Sequence, residues 1–106
     1  MTFVVYEDSA GKYRWRLKGG IGEIVATSGE AFANKSNADR AAEGFKTNAK
    51  TCTYDVYEDT AGNYRWRAKA GNGEKVASSG EAFASKSNAQ RAADNVRDNA
   101  GNATGP

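Results

Sequence analysis

The sequence contains no histidine and a single cysteine, Cys52, among its 106 residues. Without histidine the chain lacks the commonest general base, the usual zinc ligand and every Ser–His or Cys–His nucleophile pair. One cysteine excludes an internal disulfide framework, fits a reducing compartment and leaves a zinc site almost without ligands. No apolar run exceeds five residues, far short of a membrane span. The segment Met1-Thr2-Phe3-Val4-Val5 has no basic region ahead of an apolar core, so no signal peptide is read there. Charge of one sign is scarce as well. Fifteen Lys and Arg against 13 Asp and Glu leave +2, too little to mark a dedicated nucleic-acid binder. These absences point to a small cytoplasmic protein with no cofactor and no metal. An enzyme would have to work with Asp, Glu, Lys, Tyr or Ser alone, and ranks last among the function classes considered.

What the chain does have is a repeat. Tyr13-Arg14-Trp15-Arg16 returns unchanged 51 residues later as Tyr64-Arg65-Trp66-Arg67. Residues 3–50 align with 54–101 without a gap, and roughly two-thirds of the positions are identical. Two copies are too few for a solenoid, so the expectation is a pseudo-twofold pair whose halves cover each other's apolar faces. Residues 1–106 then form one domain of two repeats, followed by a polar tail, 102–106, that should fray.

Within each copy the periodicity predicts three strands and a helix. In the first strand Val4 exchanges for Asp55, so that side is wet and carries Tyr6 and Tyr57, while Phe3, Val5, Tyr54 and Val56 face inward. In the second strand Tyr13, Trp15 and Leu17 alternate with Arg14, Arg16 and Lys18; the twin sets Tyr64, Trp66 and Ala68 against Arg65, Arg67 and Lys69. Such alternation argues for an antiparallel sheet with one covered and one solvated face. Asn72-Gly73 reads as a tight hairpin turn, and Ile21 at the equivalent place should force its turn to shift or open, since isoleucine resists positive φ. In the third strand Ile24 exchanges for Lys75, which favours Val25 and Val76 as core residues. Ser36-x-x-Asp39 and Ser87-x-x-Gln90 read as helix starts, Asn48 and Asn99 as stops. Between them Ala38, Ala41, Ala42 and Phe45, then Ala89, Ala92, Ala93 and Val96, form apolar stripes at helical spacing.

The combination Val5-Tyr6-Glu7-Asp8, Gly11 through Arg16, Gly20 through Glu23 and Lys35 through Ala38, each with a partner 51 residues on, resembles the YegP-like family of small proteins. The match spans essentially the whole chain twice. The resemblance implies an α+β fold of two tandem βββα units forming one antiparallel sheet, with both helices on one face and exchange of the terminal strands. Ile21 departs from the family's usual Asn before Gly, and the segment after Asn99 is short and polar for a final strand; Thr51-Cys52-Thr53 is the alternative strand-forming stretch. The resemblance carries no established activity and no functional residues.

The candidate binding surface is therefore the wet face of the sheet: Tyr6, Arg14, Arg16 and Lys18 with Tyr57, Arg65, Arg67 and Lys69. Arginine forks bind phosphate or carboxylate, and tyrosine adds stacking or a hydrogen bond. The plainer reading is a solvated face whose arginines pair with Asp8, Asp59, Glu23 or Glu74 at about 0–1 kcal/mol each. Trp15 and Trp66 are read as core rather than as a stacking platform, the Gly20-x-Gly22 and Gly71-x-Gly73 segments as turns, Cys52 as an unreactive thiol, and Ser28 and Ser79 as serines without a base. The function expected is a non-enzymatic binding or interaction module on the Arg/Tyr face, acting as a monomer on a protein or anionic ligand. The alternative is a weak nucleic-acid binder on the same face.

Overall fold

Side-chain alternation in the Tyr-Arg-Trp-Arg segments sets the architecture. The computed structural model describes residues 1–105. Strands β1 (Thr2–Glu7), β2 (Tyr13–Lys18) and β3 (Ile24–Thr27) precede helix α1 (Lys35–Asn48); β4 (Thr53–Glu58), β5 (Tyr64–Lys69), β6 (Lys75–Ser78) and α2 (Lys86–Asn99) repeat the unit. The six strands form one antiparallel sheet in the order β1-β2-β3-β6-β5-β4, so the two copies meet at β3 and β6. Both helices lie on the tryptophan side. The fold is α+β, as the resemblance implies.

The core is a single cluster drawn from both copies. Trp15, Leu17, Trp66 and Ala68 have no exposed surface, and Leu17 and Ala68 oppose Ala26 and Ala77 across the sheet. Trp15 stacks on Phe45 with centroids 5.3 Å apart and meets Phe3 edge-on at 5.4 Å. In copy two Val96 replaces Phe45, and Tyr54 tilts against Trp66 at 5.7 Å while its hydroxyl donates to the Ala49 carbonyl at 2.7 Å. That bond ties the second copy's edge strand to the end of the first copy's helix. The alanine stripes of the helices let each lie close to the sheet, with the indoles filling the space between.

Four local expectations need correction. The buried residues of the third strand are Ala26 and Ala77, not Val25 and Val76. Leu17 pairs with Ala26 but Lys18 with Ile24, and Ala68 with Ala77 but Lys69 with Lys75; the extra residue in each β-bulge is the valine, which packs only at the margin. The Ile21 turn neither shifts nor opens. Within these two turns only Gly22 and Gly73 take positive φ, 86° and 83°, and both turns close identically, Gly22 N–H to the Gly19 carbonyl and Gly73 N–H to that of Ala70. Ile21 and Asn72 therefore sit at ordinary negative φ in a type I turn followed by a glycine bulge, and Ile21 merely points into solvent.

The helices are capped by Asn34 and Ser85 rather than by Ser36 and Ser87. Asn34 Oδ1 accepts from the Asn37 N–H at 2.9 Å, and Ser85 Oγ from the Asn88 N–H at 3.2 Å. Gln90 does not reach back to a cap but donates to Asp94 at 2.9 Å. Finally, the tail does not fray over 102–105. Ala103 is buried, Phe3 N–H donates to the Thr104 carbonyl at 2.9 Å, and Thr104 N–H donates to Met1 at 3.0 Å, a parallel bridge to Thr2. Terminal exchange is thus confined to this bridge, because β1 and β4 each pair within their own copy. Pro106 lies outside the described residues.

Candidate binding face

Opposite the tryptophans, the sheet presents a row that runs through all six strands: Val4, Arg16, Thr27, Ser78, Arg67 and Asp55. At its centre the Thr27 and Ser78 hydroxyls lie 3.3 Å apart, one hydrogen bond across the pseudo-twofold axis. Arg16 and Arg67 flank them. Three strand spacings of about 4.8 Å put their backbones on the order of 14 Å apart.

The four arginines divide into two kinds. Arg14 Nε donates to Asp8 Oδ2 at 2.9 Å and Arg65 Nε to Asp59 Oδ2 at 3.0 Å. The other carboxylate oxygen of each Asp accepts two turn N–H groups, from Ala10 and Lys12 or from Ala61 and Asn63. The Arg14 guanidinium, helped by those N–H groups, holds the Asp8 carboxyl below its ordinary value of 3.8, and Arg65 does the same to Asp59. These arginines are committed to shaping the first hairpin of each copy. Arg16 and Arg67 are not. Their guanidinium carbons stand 3.9 Å and 4.1 Å from the ring centroids of Tyr6 and Tyr57, a cation–π stack, and neither pairs with a carboxylate among the described residues. Each Nε is covered and unbonded, which leaves the terminal nitrogens as the available donors.

The lysines break the symmetry. Lys69 lies 3.5 Å from Asp55, whereas copy one has Val4 there, and Lys18 has no carboxylate partner among the described residues. All eight predicted residues are therefore on one face, half-exposed, but they are not equivalent: Arg14, Arg65 and Lys69 are already paired, and Glu23 and Glu74 take no arginine. Sequence reading missed Thr27 and Ser78. The hydroxyl at both aligned positions was a usable sign, but only the β3–β6 pairing makes them central.

Other candidates resolve structurally. Ser28 Oγ donates to the Glu30 carbonyl at 2.7 Å, and burial pushes the Cys52 thiol above its usual value, away from the reactive thiolate. No group of three His, Cys, Asp or Glu able to hold a metal occurs among the described residues, and no helix there is long and apolar enough to cross a membrane.

A tandem βββα protein with an arginine–tyrosine sheet face is the class defined so far. Residues 8–55 and 59–104 each match the model for the Domain of unknown function DUF1508, and the chain belongs to that family. A UPF0339 protein from the ptx operon 5′ region of Stutzerimonas stutzeri is 31% identical over 100 residues, covering 93% of this chain and 88% of the relative. A UPF0339 protein of Neisseria meningitidis serogroup B is 49% identical over 57 residues, which is 53% of this chain but 100% of that protein. Among solved structures, the solution structure of yegP from E. coli superposes with a TM-score of 0.81 at 24% identity, over 97% of this chain and 88% of the other. A UPF0339 protein of Shewanella oneidensis gives 0.80 at 23%, over 97% and 86%. These likenesses establish the fold; the family's function is unknown.

Proposed function

We propose that the protein is a non-enzymatic binding module, monomeric and cytoplasmic, that receives an anionic segment of a partner protein on the arginine–tyrosine face. One observation supports this most. Arg16 and Arg67, each stacked on a tyrosine and without a carboxylate, flank a hydroxyl pair in a single row across the sheet. An arginine held flat on an aromatic ring loses less freedom on binding than a free one, and its fork matches carboxylate or phosphate oxygens. The same stacking argues against a single-strand platform, because one face of each tyrosine ring is already occupied by a guanidinium.

The test is an amide-shift titration with a glutamate-rich octapeptide and, separately, octathymidylate. The peptide should move Tyr6, Arg16, Thr27, Ser78 and Arg67, and Arg16→Ala/Arg67→Ala protein should bind at least about tenfold more weakly. Tighter binding of the oligonucleotide, collapsing between roughly 50 and 200 mM salt, would replace this reading with the nucleic-acid one. Silence with both probes would remove the face from consideration.

A further inference from the structure

The two helices are not equivalent where they meet the sheet. At the position where α2 carries Asn95, α1 carries Gly44; Phe45 stands where Val96 does, and Cys52 where Ala103 does. Glycine inside a helix is unfavourable, because it loses more backbone freedom than any other residue. Close packing does not require it here, since a Cβ at Gly44 meets nothing within 4 Å. Gly44 borders instead a cavity of about 230 Å³ between α1 and the second copy, walled by Phe32, Phe45 and Val76. Glu30, an exposed residue, also lines it, and its carboxylate has no ion-pair partner among the described residues. Cys52, a half-buried free cysteine, is a lining residue too.

We infer that this cavity is a binding site for a compact monocyclic aromatic amine, its ring against Phe32, Phe45 and Val76 and its ammonium on Glu30. Volume sets the class. An apolar cavity of about 150 Å³ accepts benzene, so this one takes a single ring with a short tail but no drug-sized molecule. Charge sets the tail, since an unpaired glutamate among the lining residues favours a cation over a neutral group. The site lies on the helical side of the sheet and is independent of the arginine–tyrosine face.

Phenethylamine and its neutral counterpart 2-phenylethanol are the probes, titrated into the full chain by amide shifts. Phenethylamine should saturate with a dissociation constant of about 1 mM, with shifts centred on Gly44, Phe45, Cys52 and Val76, and bind at least about threefold tighter than the alcohol. Gly44→Leu fills the space while favouring the helix, so it should keep the fold by circular dichroism and lose the shifts. Glu30→Gln should make the two probes equal. Saturating amine should also slow alkylation of Cys52 by iodoacetamide. Shifts that are absent, lie elsewhere or persist in Gly44→Leu protein overturn the site; equal binding of the two probes by the unsubstituted protein overturns the amine assignment.

Discussion

At the scale of single residues, the two tryptophans carry more of the fold than any other side chains, because the alanine stripes leave them most of the volume to fill. Trp66→Ala is expected to destabilise by about 3–5 kcal/mol in urea denaturation, the range for truncating a large buried aromatic. Neither indole N–H has an acceptor among the described residues. The Asp8 and Asp59 carboxyls make a pH signature. Their folded values lie below 3.8, so their contribution is fully present above that value and disappears as pH falls through the lower folded value. Melting temperatures of the unsubstituted protein and of Asp8→Asn/Asp59→Asn protein should therefore converge as pH falls from neutral to below 3.8; a constant gap would show that the arginine pairs are not titrating there. Which side each residue faces was readable from alternation. Which arginine is committed was not, since Arg14 and Arg16 occupy the same side of one alternating strand, and only the fold places one beside the hairpin aspartate and the other on the tyrosine.

At the scale of elements, the helix starts show how a sequence signal is outbid by chain geometry. Ser36 and Ser87 fit a capping pattern, but the incoming chain is already extended at Asn34 and Ser85, with φ −143° and −133°, and those side chains reach the free N–H groups first. Asn34→Ala should cost about 1 kcal/mol, whereas Ser36→Ala should stay within about 0.5 kcal/mol, as Ser36 only supports Asn34 from one side at 3.0 Å. Thermal melts of the two variants distinguish the assignments. The β-bulges were equally invisible beforehand. A one-residue insertion reverses which side chains face inward, and neither Ile24-Val25-Ala26 nor Lys75-Val76-Ala77 announces it.

At the scale of the whole molecule, each helix hands the chain to the other copy. After α1 it enters β4 at Thr53, and after α2 it returns to lie beside Thr2. Each half contributes about 50 residues and one covered sheet face, so neither buries enough alone. Residues 1–52 by themselves are expected to unfold or to dimerise, as read by analytical ultracentrifugation with circular dichroism; a folded monomeric half would contradict the shared core. The relative from Neisseria meningitidis, matched over its full length by little more than half of this chain, makes the dimer the outcome to look for first.

The amino-acid order alone determined the duplicated unit, its two-sided sheet, the alanine-lined helices and the inward tryptophans. Those follow from periodicity, which acts between near neighbours and repeats 51 residues on. Tertiary structure decided the rest: that β3 meets β6, that Thr27 finds Ser78, that two arginines are consumed by aspartates while two rest on tyrosines, and that Gly44 borders a cavity. Each of these depends on atoms distant in the chain being brought within a few ångströms, and short-range patterns say nothing about such distances.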